Sequence, residues 1–158
     1  MFLRESTSPS DYALQMAWRN HPEIRAGFYM QGLVNPHYIS WEEHCKWMKG
    51  RPSSWRTFMV ETDHPIGVIT IGQLEHWSCE IGYYIGEIAL WGKGYGKRMV
   101  QLALDWIKEY AIDHPHIIEI HATVIKTNER SLRLLKSLGF KGDIDAREGE
   151  VWLGLRIK

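Results

Sequence analysis

A short glycine-rich segment, WGKGYG at 91–96, constrains the fold of this chain more than any other feature. The residues before it, 79–85, are rich in isoleucine and tyrosine and predict a strand. After it, apolar side chains such as Met99, Trp106 and Tyr110 recur at helical spacing and predict a long helix. A glycine turn between a strand and a helix leaves backbone N–H groups at the positive end of the helix dipole. The segment therefore predicts either a tight turn or a site for an anion.

The rest of the chain alternates predicted strands and helices, which indicates an α/β or α+β domain with a mixed sheet. Ser40 and Glu43 form a capping box and Gly139 follows the last predicted helix, so these residues mark a helix start and a helix end. Residues 20–39 are rich in Gly, Asn and Pro and predict a loop. The predicted strands are 1–5, 56–62, 66–74, 79–85, 117–124 and 150–157, and the predicted helices are 10–19, 40–48, the helix after the glycines and 128–138.

Composition narrows the class of protein. The 158 residues are 44% hydrophobic and 24% charged, the balance of one soluble domain, so we expect a single domain over 1–158. Nineteen basic residues offset nineteen acidic ones, which argues against nucleic acid as a partner. No apolar run is long enough for a membrane span and no leader pattern is present, so we expect a cytoplasmic protein without membrane contact. Cys45 and Cys79 lack metal-like spacing, so we expect no metal site and a reducing compartment.

The charge around the glycine segment favours the anion site. Its three glycines follow the spacing GxGxG, which is neither the P-loop nor the dinucleotide-binding fingerprint. Lys93, Lys97 and Arg98 add positive charge beside the glycines. A pyrophosphate with attached phosphates is bound by such a combination of backbone N–H groups and cations.

These residues resemble a known family, the GNAT superfamily of acetyl-CoA-dependent N-acetyltransferases. The family signature Q/R-x-x-G-x-G/A matches 91–96, with Trp91 in place of Gln or Arg. A second family motif is matched by Asn128, Ser131 and the Gly-Phe pair at 139–140. The resemblance implies the GNAT fold, a mixed and mostly antiparallel central sheet of about seven strands flanked by about four helices. It also implies acetyl-CoA as the co-substrate.

The resemblance further implies which groups hold acetyl-CoA. Strand backbone groups would bind the pantetheine arm where that strand splays from its neighbour, and the glycine loop would bind the pyrophosphate. The strand N–H groups would also polarise the thioester carbonyl. The implied cofactor-binding residues are Tyr84, Ile85, Gly86, Gly92, Lys93, Gly94, Tyr95, Gly96, Lys97 and Asn128.

Acetyl transfer to an amine needs a base for the ammonium proton and, less critically, an acid for the departing thiolate. Many family members place a tyrosine acid seven residues after the motif asparagine, where this chain has Leu135, so Tyr84 is predicted as the nearest hydroxyl. One family position for the base, fourteen residues before the central glycine, is Glu80, and the other is Thr123, which cannot serve. His121 is a second candidate base. A substrate-binding or ion-paired role for Glu80 and a structural role for His121 stay open.

The stretches that bear on the identity of the acceptor lie in the N-terminal third of the chain. The stretches AWRNHPEIR and ISWEEHCKWM resemble N-acetyltransferases that modify nucleotide-linked amino sugars in pseudaminic-acid biosynthesis, and more loosely the ribosomal-protein N-terminal acetyltransferases. This likeness implies that Arg19 and His44 meet a nucleotide diphosphate, with Tyr84 and Gln73 near the sugar or base. A guanidinium fork suits phosphate. Arg19 could instead be a cation at a helix C-terminus, and His44 could face solvent.

Taken together, the sequence predicts an enzyme that moves acetyl from acetyl-CoA to a primary amine by direct attack. The preferred acceptor is a nucleotide-linked amino sugar. The alternatives are a protein N-terminus or a polyamine, although a polyamine calls for more acidic residues than Glu42, Glu43 and Glu80. A non-catalytic acetyl-CoA sensor is a further alternative, because Leu135 and Thr123 replace family acid and base positions. A homodimer stays open.

Overall fold

The computed structural model describes residues 1–30, 33–34, 38–147 and 149–158. In chain order its strands are β1 (Phe2–Glu5), β2 (Tyr29–Met30), β3 (Leu33–Val34), β4 (Arg56–Glu61), β5 (Pro65–Gly72), β6 (Ser78–Ile85), β7 (Glu119–Ile125), β8 (Lys141–Arg147) and β9 (Glu150–Arg156). Its helices are α1 (Pro9–Asn20), α2 (Pro22–Arg25), α3 (Trp41–Lys49), α4 (Tyr95–Asp113) and α5 (Glu129–Ser137), with a 3₁₀ turn at Ile88–Leu90.

Seven of these strands form one sheet in the order β1-β4-β5-β6-β7-β9-β8, and β2 and β3 pair separately. All neighbours in the large sheet are antiparallel except β6 and β7, which run parallel. The expected mixed, mostly antiparallel sheet is therefore confirmed. The parallel pair is joined through α4, as a parallel crossover connection requires.

Two parts of the sequence prediction were wrong. The segment KGDIDAR was not predicted as a strand because it is poor in strand-forming residues, yet it pairs with β9 as the edge strand β8. The predicted loop 20–39 contains α2, β2 and β3. His21 caps α2 through its side chain, and Pro22 occupies the first helical position. Residues 31–32 and 35–37 of that predicted loop lie outside the described part of the chain.

The helices cover both faces of the sheet. Side chains alternate across a strand, so Phe58 and Val60 pack with α4 on one face while Met59, between them, packs with Trp18 of α1 on the other. Leu135 brings α5 into the first of these two clusters. Helix α3 packs against α1 and so covers the second face. The sheet is thus enclosed between an α4–α5 layer and an α1–α3 layer.

The pairing of β6 with β7 is short. Only Ser78, Cys79 and Glu80 pair with β7, opposite Glu119 to His121, although both strands continue for several residues. The two strands therefore diverge after Glu80 and leave a gap in the middle of the sheet. Among the described residues, no helix is both long and apolar enough to cross a membrane.

Candidate active site

A cleft of about 200 Å³ lies where β6 and β7 diverge. It is open to both helix layers, because the gap passes through the sheet between them. The residues that line it include Phe28, Trp55, Thr70, Glu80, Gly82, Tyr83, Thr123, Ile125, Asn128, Ser131 and Glu150. Within the described part of the chain, no group of three or more His, Cys, Asp or Glu side chains could hold a metal ion.

The gap exposes backbone groups of β6. Gly86 donates its N–H to the Ile66 carbonyl at 2.9 Å, so the backbone of Gly86 and, by alternation, of Tyr84 faces β5. The backbone groups of Ile81, Tyr83 and Ile85 consequently face the gap. Of the three residues predicted to bind pantetheine through their backbone, only Ile85 presents its backbone there. Gly86 has a packing role instead, because a Cβ at this position would overlap the Trp18 ring.

The glycine loop opens the N-terminus of α4. Gly92 and Gly94 have φ values of 76° and 83°, and a Cβ on either would meet nothing within 4 Å, so these glycines serve the backbone conformation. Gly94 is the N-cap of α4 and supplies no side-chain hydrogen bond. The other described α-helices are all capped by side chains, those of Ser8, His21, Ser40 and Asn128. The first N–H groups of α4 therefore remain available to a ligand.

Positive charge accompanies this open helix end. Lys93, Lys97 and Arg98 are exposed, and none of them belongs to an ion pair found among the described residues. Gly96 is the second residue of α4, where a Cβ would stand 3.0 Å from a Leu134 methyl group, so a glycine lets α4 approach α5. An uncapped helix dipole with three cations fits a pyrophosphate and its attached phosphates.

Trp91, which departs from the family signature, ties the loop to the strand. Its indole Nε1 donates to the Ile85 carbonyl at 3.1 Å, and the Arg130 guanidinium lies 4.6 Å from the centre of its ring. The indole is therefore engaged in the fold, which leaves the backbone N–H groups and the cations of the loop available to a ligand.

Glu80 lies at the start of the gap. Its carboxylate accepts from Gln73 Nε2 at 3.3 Å. Gln73 has a φ of 58°, a left-handed conformation that is unfavourable for a residue with a side chain. It follows the last residue of β5, and its side-chain amide lies beside Glu80. Gln73 thus lies with the candidate base and not with Arg19. Gly72 is the ladder partner of Glu80 on β5. A Cβ on Gly72 would lie 2.6 Å from the Trp55 ring, so the glycine leaves room for that ring.

His121, the second candidate base, is the ladder partner of Glu80 across β6 and β7. Its Nδ1 lies 2.7 Å from the Ser78 hydroxyl, and its ring stacks on Trp152 at 5.8 Å. Burial lowers the pKa of His121, so the imidazole is neutral near pH 7 and able to accept a proton. The two candidate bases therefore lie side by side.

Tyr84 points to the α1–α3 side of the sheet. Its ring makes edge contacts with Phe28 at 5.3 Å and with Trp18 at 6.4 Å. Its hydroxyl is buried and has no hydrogen-bond partner in the described part of the chain. Burial raises the pKa of Tyr84, although the charges of Arg19 and Arg51 oppose that shift. The phenol is therefore protonated at neutral pH.

Two arginines lie beside this phenol. The Arg19 guanidinium is 4.7 Å from the centre of the Phe28 ring. The Arg51 guanidinium is 3.6 Å from the centre of the Trp47 ring. Arg51 donates to the Thr57 hydroxyl through Nη1, whereas its buried Nη2 has no partner among the described residues. Burial lowers the pKa of both arginines, that of Arg51 to about 10.

His44 completes what we call the cationic cluster, formed by Arg19, His44, Arg51 and Tyr84. It is only 1% exposed, so the alternative in which it faces solvent is wrong. Its Nε2 is buried without a partner in the described part of the chain. Burial, with the charges of Arg19 and Arg51, lowers the pKa of His44 to about 4. Arg19 and His44, which were both predicted to meet a nucleotide diphosphate, thus lie near each other in the fold, and their binding role stays a prediction.

Arg51 was not predicted from the sequence. It follows the C-cap of α3 and belongs to no motif, and only the packing of its loop brings it to Tyr84 and Arg19. Glu150 of β9, which also lines the cleft, was missed for the same reason. A groove of about 620 Å³ lies beside the cluster. Its lining includes Lys46, Trp47, Arg51, Pro52 and Trp55, and Trp55 also lines the cleft. The groove and the cleft are therefore neighbours.

Comparison with known proteins identifies the family. Residues 1–141 match the sequence profile described as Acetyltransferase (GNAT) domain. The chain therefore belongs to the GNAT acetyltransferase family, and acetyl-CoA is the acetyl donor of this N-acetyltransferase fold. The expectations of the GNAT fold and of acetyl-CoA as co-substrate are confirmed.

Three relatives illustrate the range of similarity. The uncharacterized protein MJ1062 of Methanocaldococcus jannaschii is 36% identical over 157 residues, which are 97% of this chain and 30% of that protein. A crystal structure of a domain from Methanocaldococcus jannaschii has a TM-score of 0.86 and 32% identity, and the match covers 99% of this chain and 97% of that one. The chain thus corresponds to less than one third of MJ1062.

The third relative is Acetyltransferase PseH of Campylobacter jejuni. It is 32% identical over 126 residues, which are 78% of this chain and 72% of that protein. Its crystal structure in complex with acetyl coenzyme A has a TM-score of 0.67 and 25% identity, covering 99% of this chain and 98% of that one.

We expect Gly94→Ala to weaken acetyl-CoA binding at least severalfold, because a Cβ disfavours the left-handed φ that opens the helix end. Isothermal titration with acetyl-CoA measures the change. Gly139→Ala is the matched control, since Gly139 also has a positive φ, 92°, but lies at the far end of α5. An equal loss of affinity in both variants would show a general effect on folding instead.

We expect stability to fall as the pH decreases from 6.5 to about 4. The pKa of His44 is 6.5 in the unfolded chain and about 4 in the fold, so the unfolded state binds more protons between these values. Urea denaturation across this window measures the slope, and His44→Gln should make it shallower. His121, whose pKa is also lowered, contributes to the remaining slope. Gln101→Asn on the exposed side of α4 serves as control, because it removes no titratable group and should retain the full slope.

Proposed function

We propose that this domain transfers the acetyl group of acetyl-CoA to the amino group of a nucleotide-linked amino sugar. The observation that carries this proposal is the cationic cluster beside the cleft. Arg51 Nη2, His44 Nε2 and the Tyr84 hydroxyl are buried, and the described residues offer them no hydrogen-bond partner. Buried polar groups are normally satisfied, so such a group of atoms is typical of a site completed by a ligand.

The chemistry of the cluster favours an anionic ligand. Arg51 forms no ion pair with a carboxylate among the described residues, and its guanidinium keeps its charge. A diphosphate would compensate that charge and accept hydrogen bonds from the guanidinium fork and the phenol. A polyamine would instead bring more positive charge to a region that already holds two arginines.

The distance between Glu80 and the cationic cluster agrees with an acceptor whose amine and phosphates lie at opposite ends of a sugar. Glu80 and Tyr84 lie four residues apart on one face of β6, which corresponds to about 13 Å along a strand. An amine at Glu80 would therefore be about one sugar ring and its linkage away from the cationic cluster. The groove beyond Arg51, lined by Trp47 and Trp55, has space for the remainder of the acceptor.

In the proposed reaction Glu80 removes a proton from the acceptor ammonium group, and the free amine attacks the thioester carbonyl directly. The amide carbon–nitrogen bond forms and the carbon–sulfur bond breaks, leaving the electron pair on sulfur. A β6 N–H that faces the gap stabilises the charge on the carbonyl oxygen. His121 is the alternative base. Neither Cys45 nor Cys79 is placed as a covalent nucleophile, and burial raises the pKa of Cys79 to about 12.

The relatives support the proposal in part. The chain is similar to Acetyltransferase PseH, and the sequence likeness to enzymes of pseudaminic-acid biosynthesis includes Arg19 and His44. Both residues lie in the cationic cluster, together with Tyr84. The identity of 32% supports the reaction class more strongly than it supports a particular sugar or nucleotide.

The acceptor is tested by incubating the protein with acetyl-CoA and a panel of amines while thiol release is followed. UDP- and dTDP-linked amino sugars should react, whereas spermidine and N-terminal peptides should not. Arg51→Met should raise the KM for the nucleotide-linked amino sugar by about 10- to 100-fold, the usual effect of losing a charged hydrogen bond. Arg156→Met, at an exposed end of β9, is the control. Preference for spermidine would overturn the proposed acceptor, and acetyl-CoA binding without any thiol release would favour a sensor.

Glu80→Gln should lower kcat by about 100- to 10,000-fold, the range for removal of a general base. The remaining activity should rise with pH, because a larger fraction of the acceptor amine is then unprotonated. Steady-state kinetics across pH measure both effects, and Glu109→Gln on the exposed side of α4 is the matched control. Full activity in Glu80→Gln together with a large loss in His121→Gln would assign the base to His121.

A further inference from the structure

The departing thiolate has no evident partner at the position where the family supplies a tyrosine. Leu135 occupies that position and is 0% exposed, packed in the core between α5 and the sheet. Tyr84, the hydroxyl predicted from the sequence, points to the opposite side of β6, into the cationic cluster. A donor on the α5 side of the cleft must therefore come from another residue.

Tyr83 has a hydroxyl on that side. Neighbouring residues of a strand point to opposite faces, so Tyr83 faces α5 while Tyr84 faces α1. The Tyr83 hydroxyl lies 2.5 Å from the Ser131 hydroxyl. The Ser131 N–H in turn donates at 3.2 Å to the side chain of Asn128, the N-cap of α5. All three residues line the cleft.

The backbone of Tyr83 also faces the gap, whereas that of Tyr84 faces β5. Tyr83 therefore places both its main chain and its hydroxyl in the region where the family binds the thioester end of the co-substrate. We propose that the Tyr83 hydroxyl donates a hydrogen bond to the departing coenzyme A thiolate, in the role that Leu135 cannot fill. This inference rests on the acetyl transfer proposed above and not on the identity of the acceptor.

The chemistry of the pair allows this role. A phenol has one donor and can also accept, so Tyr83 can accept from Ser131 while its own O–H is directed to the sulfur. Burial raises the pKa of Tyr83 to about 12, and the Ser131 hydrogen bond only partly opposes that shift. A coenzyme A thiol, with a pKa of about 8.5 like a free cysteine, gives up its proton more readily. The phenol therefore stabilises the thiolate and keeps its proton, and the thiolate takes a proton from water after release.

We expect Tyr83→Phe to lower kcat by about 10- to 100-fold, the usual range for a hydrogen bond to a charged group, with the KM for acetyl-CoA changed less than twofold. Ser131→Ala should have a smaller effect, because it leaves the Tyr83 donor in place. Tyr110→Phe is the matched control, since Tyr110 is a half-buried tyrosine of α4 outside the cleft. Equal losses of kcat and of melting temperature in Tyr83→Phe and Ser131→Ala would show that the pair only tethers α5 to β6 and would overturn the inference.

A second measurement uses binding alone. The thiol of free coenzyme A, titrated in complex with the protein by the ultraviolet absorbance of the thiolate, should ionise at lower pH with wild type than with Tyr83→Phe. An unchanged thiol titration would overturn the inference even if both variants fold. Failure of every amine in the acceptor panel would count against the proposed function, while this titration would still test Tyr83 directly.

Discussion

The structure depends on an interruption in backbone pairing. β6 and β7 share three ladder pairs and then separate, so the centre of a seven-stranded sheet contains a gap where continuous hydrogen bonding would otherwise run. Unpaired backbone groups in a protein interior are unfavourable unless something satisfies them. Here the backbone groups of Ile81 and Tyr83 and the N–H of Ile85 face the gap, and the helix layers on both faces enclose the two strands. The gap thus lies between the candidate glycine loop at the start of α4 and the cationic cluster on the α1–α3 side of the sheet.

The sequence was informative wherever a local pattern determines the structure. The capping box at Ser40 and Glu43 marks the start of α3, and the glycine segment marks the uncapped start of α4. Glu80, which the family resemblance implies as a base, and His121, which shares a strand face with Thr123, lie opposite each other in the ladder. In each case the physical cause lies within a few neighbouring residues or within one pair of strands.

Features that arise from tertiary packing could not be found in this way. Arg51 follows a helix C-cap and has no motif, yet packing on Trp47 buries it beside Tyr84. β8 has weak strand propensity and exists because β9 offers an edge. The pair Tyr83 and Tyr84 shows the same limit: alternation predicts that they face opposite ways, but only the arrangement of the helices decides which one meets α5 and which one meets the arginines.

The hydrogen bond from Trp91 to the Ile85 carbonyl connects two parts of the candidate acetyl-CoA site. The glycine loop and the end of β6 are joined by one rigid indole, with Arg130 held against its outer face. The position of the loop is therefore tied to that of the strand. A displacement of the loop, by a ligand or by a substitution of Trp91, would act on the end of β6 through this one hydrogen bond.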